Sequence, residues 1–192
     1  MKDSYWSKRY QRNQIGWDLG EVSKPLITIF QTLKKEDKIL IPGCGNAYEA
    51  AFLFNKGFQN VHIIDIAIEP LLNFKKHNKE FPKNQIIYGD FFDHQANYDV
   101  IIEQTFFCAI HPKQRNSYAR KCSELINEKG TLKGVLFNRS FEGGPPYGGS
   151  ESEYQTIFKK YFNSVQIKSC NESIEPRMGY EVFIECSGLK KS

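Results

Sequence analysis

An apolar run, Ile39-Leu40-Ile41-Pro42, enters a Gly-x-Gly turn, Gly43-Cys44-Gly45, and an amphipathic segment from Asn46 to Asn55 begins directly after it. Few folds accommodate a buried strand that turns into a helix through two glycines. Glycine allows the tight turn and leaves no Cβ in the way of a ligand that approaches the backbone. In open α/β sheets such ligands sit beyond the carboxyl ends of the strands, where the strand order reverses. Asp65 lies twenty residues after Gly45, at the end of the next apolar run, where a carboxylate can accept from ribose hydroxyls.

The rest of the chain continues this alternation. Seven short runs read as strands: Asp37 to Ile41, Asn60 to Asp65, Gln85 to Tyr88, Tyr98 to Ile102, Thr131 to Phe137, Ser164 to Lys168 and Tyr180 to Glu185. The first four have continuous apolar centres, as strands buried on both faces of a parallel sheet do. Helical spacing separates most of them, over Pro70 to Lys79, Gln114 to Asn127 and Glu151 to Phe162. The last two strands are joined by Ser169 to Gly179, which lack helical periodicity, so an antiparallel hairpin is expected there. The expected fold is α/β and Rossmann-like: a seven-stranded, mainly parallel sheet with an antiparallel last strand and helices on both faces. Before the first strand, Ser23 to Lys35 reads as a helix that Ser23 can cap, with Pro25 in its first turn. The Gly- and Pro-rich stretch from Ser140 to Ser150 reads as a loop.

At 192 residues the chain suits one domain, residues 1–192. A net charge of +4, with its lysine pairs on helix faces, is too diffuse for a nucleic-acid stripe, so no nucleic-acid partner is expected. Five cysteines with no Cys-x-x-Cys pair signal neither a disulfide framework nor a zinc site, so no metal is expected and a reduced, cytoplasmic setting is. No leader and no membrane span are read. Disorder is expected only at Lys190-Lys191-Ser192. Nothing demands a partner chain, so a monomer or weak homo-oligomer acting on a small-molecule substrate is expected.

Gly-x-Gly and Asp65 leave the nucleotide open between NAD and S-adenosyl-L-methionine (SAM). Tyr48 occupies the third glycine position of the dinucleotide fingerprint, and Glu49 at the helix start repels phosphate but not a sulfonium or ammonium. An NAD-binding oxidoreductase and a SAM-binding module without activity remain the alternatives. After the third strand, Asp90 is positioned either to accept from an adenine amino group or to cap a turn, and Phe91 can lie on the adenine face. After the fourth, Glu103 either faces the methionine ammonium or the acceptor, or is a strand-end carboxylate in water. Cys44 and Cys108 read as small packing residues rather than nucleophiles.

The runs Trp6-Ser7-Lys8-Arg9-Tyr10, Trp17-Asp18-Leu19-Gly20, Pro42-Gly43-Cys44-Gly45, Glu103-Gln104-Thr105-Phe106-Phe107-Cys108-Ala109-Ile110, Gly143-Gly144-Pro145-Pro146-Tyr147 and Glu175-Pro176-Arg177-Met178-Gly179-Tyr180-Glu181 resemble the thiopurine S-methyltransferase family, including its thiol and halide branch. The resemblance implies a class I SAM-dependent methyltransferase with an N-terminal cap, residues 1–35, over the site. It implies that Trp6, Tyr10 and Trp17 close over SAM, that Pro42, Gly43, Cys44 and Gly45 approach its methionine part, that Asp65 holds the ribose, that Asp90 and Phe91 meet the adenine, and that Glu103 lies near the methyl group. Tyr10 and Gln104 stand where the mammalian thiopurine enzymes carry tryptophan and arginine; the lost arginine counts against thiopurine itself as the substrate, and the Glu103-to-Phe107 and Gly143-to-Tyr147 runs resemble the thiol and halide branch more. Trp17, Glu103, Phe106, Phe107, Tyr147 and Arg139 are the substrate-pocket candidates, with Arg139 or Arg177 to attract an anion.

Overall fold

The computed structural model describes residues 3–190. The described residues form strands β1 (Ile39–Pro42), β2 (Val61–Asp65), β3 (Ile86–Tyr88), β4 (Tyr98–Gln104), β5 (Ile126–Phe137), β6 (Phe162–Ser169) and β7 (Glu181–Leu189), and helices α1 (Asp3–Gln11), α2 (Lys24–Phe30), α3 (Tyr48–Asn55), α4 (Ile68–His77), α5 (Arg115–Leu125) and α6 (Glu151–Phe158). The strands make one sheet in the order β3-β2-β1-β4-β5-β7-β6. The inner pairs are parallel, and β7 runs antiparallel to both β5 and β6. The expected sheet, with its one reversed strand, is the observed one.

Period-two alternation divides the core. Leu40, Ile64, Ile101, Leu132 and Leu136 point to one face and pack under α5 and α6, against Tyr118, Cys122, Tyr154 and Phe158. Ile39, Ile41, Ile63, Val100, Ile102 and Val135 point to the other and pack under α2, α3 and α4, against Leu26, Phe30, Leu53 and Phe74. Each fully buried side chain of this size contributes about 1.5–3 kcal/mol, so helices on both faces are what the continuous apolar strands require.

The boundaries differ from expectation where polar side chains intervene. α2 stops at Phe30 because the Thr32 hydroxyl bonds to Ile29 O (2.7 Å) and Asp37 accepts from Lys34 N (2.8 Å), turning the chain into β1. Ser23 stands at the N-cap of α2, its carbonyl accepting from Leu26 N and Ile27 N, but its hydroxyl gives no side-chain cap and donates to Gln104 Oε1 at 2.7 Å. Ala47, at φ 54°, delays α3 to Tyr48. β5 begins at Ile126, with a bulge before Thr131 where Gly130 lies against β4: a Cβ there would come 2.7 Å from Asp99 O. Phe162, expected to end a helix, is the first residue of β6. Lys191 and Ser192 of the expected disordered tail lie outside the described residues. Among those described, no helix is long and apolar enough to cross a membrane.

Candidate active site

The chain leaves β1 for α3 on one side and reaches β4 on the other, so the sheet order reverses between β1 and β4. A cavity of about 430 Å³ opens at the carboxyl ends of these strands. A smaller recess of about 70 Å³ adjoins it, and Trp17, Gly43, Thr105 and Arg177 border both.

The floor is backbone. Gly43 and Gly45 have φ of 57° and 53°, in the left-handed region. A Cβ on Gly43 would come 2.4 Å from the Phe106 ring, and one on Gly45 would come 2.9 Å from the Tyr10 hydroxyl oxygen. Asp65, 8% exposed, accepts from Gly45 N on Oδ2 (2.9 Å) and from Ala67 N on Oδ1 (2.8 Å). Burial raises its pKa, and these N–H donors oppose that rise. Ile66 N also bonds the carboxylate, which lines the cavity and keeps acceptor capacity that suits a ribose hydroxyl. Asp18 and Glu49 line the recess beside the same turn, an anionic setting that suits an ammonium. Burial pushes Glu49 up to about 7.

Trp6, Tyr10 and Trp17 meet over the cavity, with Trp17 edge-on to Trp6 at 5.4 Å and to Tyr10 at 5.8 Å. The Arg9 guanidinium lies 5.3 Å from the Trp17 ring. Asp90 takes the turn reading, its Oδ1 accepting from Phe92 N at 2.9 Å, and the residue also borders the cavity. Phe91 borders the cavity but is 3% exposed, packed against Phe106 and Tyr118. Phe106 and Arg139 are walls, and Cys44 and Gly45 border the recess. Burial pushes the Cys44 thiol well above its usual value and Cys108 up to about 12, so both are neutral packing thiols.

Four candidates lie elsewhere. Glu103 faces the α5 side because it alternates with Gln104, which borders the recess. Its Oε1 accepts from Phe106 N (2.9 Å) and Phe107 N (2.8 Å), its Oε2 from the Tyr118 hydroxyl, and burial pushes its pKa up to about 7. Glu103 therefore shapes the turn rather than facing the methyl group. Phe107, 1% exposed, fills the core between Tyr118 and Phe158. The Tyr147 ring packs 5.5 Å from His111, outside the cavity wall. Pro42 is buried at the end of β1 and borders neither space.

Phe137 and Phe141, which no motif marks, and Pro145, Pro146 and Pro176, which lie in the family-like runs but outside the expected pocket residues, also line the cavity. The end of β5 brings Phe137, the loop after it Phe141, Pro145 and Pro146, and the turn before β7 Pro176. Arg177 reaches the cavity with its guanidinium bonded to Trp17 O (3.0 Å) and near Glu181 (3.7 Å). The Arg139 guanidinium stacks 4.2 Å from the Tyr180 ring.

The chain is 28% identical over 186 residues to "Probable thiol methyltransferase 2" of Arabidopsis thaliana, covering 92% of this chain and 81% of that one. It is 26% identical over 178 residues to a thiopurine S-methyltransferase of Vibrio cholerae serotype O1, covering 82% of each. The fold superposes on the 1,6-didemethyltoxoflavin-N1-methyltransferase of Burkholderia thailandensis, solved with S-adenosylhomocysteine bound, with a TM-score of 0.75 at 15% identity over 99% of this chain and 87% of that one. With the family model matching residues 1–183, the chain belongs to the thiopurine S-methyltransferase family of SAM-dependent enzymes.

Proposed function

We propose that this chain moves a methyl group from SAM to the sulfur of a small thiol or thiopurine-like acceptor, or to a halide ion. The observation that carries the choice of acceptor is the cavity lining: aromatic rings, prolines and arginines, with no histidine or lysine among the lining residues. A general base must stand within hydrogen-bond reach of the proton it takes. Asp65 and Asp90 are the lining carboxylates, and both belong to the glycine side. The acceptor therefore arrives ready to attack, as a thiolate or halide.

When bound, SAM supplies a methyl on a sulfonium whose departure as a neutral thioether needs no proton. Asp65 would hold the ribose, Gly43 and Gly45 would admit the methionine part, and Asp90 with Phe91 would flank the adenine. Trp6, Tyr10 and Trp17 would exclude water and strip the anion of its hydration; the cap expected over residues 1–35 stops short of α2, whose Leu26 and Phe30 pack under the sheet. Rate then follows from holding the nucleophile about 3–3.5 Å from the methyl carbon and in line with it. Arg139 and Arg177 would draw the anion in. Five free cysteines suit a reducing cytosol, and a monomer suffices for this site.

The test is a calorimetric titration with SAM and NADH, followed by labelled methyl transfer to thiols, thiopurines and halides. SAM binding with transfer to a thiol or halide is expected. NADH binding in its place overturns the reading, and SAM binding without transfer to any acceptor leaves a binding module.

A further inference from the structure

Arg115 opens α5 and is 2% exposed, yet it belongs to no wall of the cavity. Its Nη atoms reach three groups, while Nε is buried without a hydrogen-bond partner among the described residues. Nη1 donates to Glu153 Oε1 in α6 at 2.7 Å, and Nη2 donates to the carbonyls of Tyr147 (3.1 Å) and Gly148 (2.7 Å). The cation also lies 4.8 Å from the Phe107 ring. A buried arginine whose fork grips main-chain carbonyls fixes the backbone that carries them.

Those carbonyls lie at the neck of the loop that walls the acceptor side. Gly149 N donates to Arg139 O at 2.9 Å, and a Cβ on Gly148 would come 2.0 Å from the same oxygen, so the two ends of the loop touch. Tyr147 N donates to Cys108 O at 2.7 Å, which ties the neck to the turn after β4. Between the ends the loop carries Arg139, Phe141, Pro145 and Pro146 into the cavity. It has no regular structure of its own to hold this shape.

We propose that Arg115 is a positioning residue for acceptor specificity: it sets the acceptor wall against the turn after β4 through the carbonyls of Tyr147 and Gly148. This rests on the acceptor side proposed above, but the loop geometry can be read without any acceptor. The glycine floor and Asp65 share no contact with Arg115, so SAM affinity is separable from its action.

The full chain and its Arg115→Met, Arg115→Lys and Glu153→Gln variants are compared by amide hydrogen exchange, SAM calorimetry, and kinetics with thiophenol and iodide. In Arg115→Met the amides of Tyr147 and Gly149 exchange about tenfold faster or more while those of β1 and β2 hold. The acceptor KM rises about tenfold or more, as small misplacements near a reacting centre do, and the SAM Kd stays within about twofold. Arg115→Lys, which keeps the charge but not the fork, falls between. Glu153→Gln leaves both carbonyl bonds and changes least. Faster exchange throughout the sheet, or SAM affinity falling in step with acceptor KM, overturns the proposal in favour of general stability. Should Arg115→Met not fold, the order Lys then Gln decides alone. If the unaltered chain methylates neither probe, the acceptor reading fails, and the exchange pattern still decides whether Arg115 holds the loop.

Discussion

The wall along Gly43, Gly45 and Asp65 is main chain and one carboxylate at the ends of β1 and β2, whereas the wall from Arg139 to Pro146 is a loop held from behind by Arg115. The first is fixed by register: Pro42 pairs with Ile64, and Gly45 N reaches Asp65. The second is set by side chains that bridge elements far apart in sequence, with Arg115 and Glu153 separated by 38 residues. A register-fixed wall suits a ligand every turnover must bind. A loop wall can change residue by residue without disturbing the sheet, which is where acceptor choice belongs.

Removing the carboxylate tests the first wall hardest. If Asp65 holds the ribose as proposed, Asp65→Ala removes charge-assisted bonds worth about 1.5–3 kcal/mol each, so SAM affinity should fall about 100-fold or more by calorimetry, with acceptor KM at saturating SAM little changed. Unchanged SAM affinity removes Asp65 from the site. Gly43→Ala follows. The positive φ costs about 1–2 kcal/mol and the new methyl displaces Phe106, so SAM affinity should drop about tenfold or more. Wild-type affinity here would show that the floor yields as a loop does.

On the second wall, Arg139→Ala should raise the KM of anionic acceptors about fivefold, the worth of about 1 kcal/mol for an exposed charge, and leave SAM affinity alone. An equal effect on both ligands would erase the distinction between the walls.

The smallest effect concerns the turn between them. Glu103 titrates near 7 in the folded chain, above its ordinary 4.5, so the folded chain holds that proton more tightly than the unfolded one. Its stabilising contribution is complete below pH 4.5 and is lost as pH rises through about 7. The melting temperature of Glu103→Gln should fall less steeply than that of the unaltered chain between pH 5 and 8; the raised Glu49, Asp65 and Glu181 add to the slope that stays, and the lowered His62 and His94 oppose it. An unaltered slope in Glu103→Gln places the titration elsewhere.

The fold was legible because its signals are local. Apolar centres in β1, β2 and β4 announce burial on both faces, and the missing periodicity from Ser169 to Gly179 announces the reversed β7. Boundaries were less so: Thr32 and Asp37 end α2 through bonds that no helical pattern predicts, and the bulge at Gly130 depends on Asp99 across the sheet. The site divides in the same way. Asp65 and the glycines were readable from spacing. Glu103 was misread because one step along a strand reverses the facing, and Gln104 rather than Glu103 borders the recess.

The sequence by itself determined the strand, the Gly-x-Gly turn, the helix after it and the acidic residue at the end of the next strand, since φ freedom and periodicity are properties of neighbouring residues. Only the tertiary structure decided that Phe107 and Tyr147 serve packing while Phe106 and Arg139 face the cavity, and that Arg115 grips the loop. Those outcomes depend on which elements the sheet order sets side by side, and a buried guanidinium finds its partners in space, not in sequence.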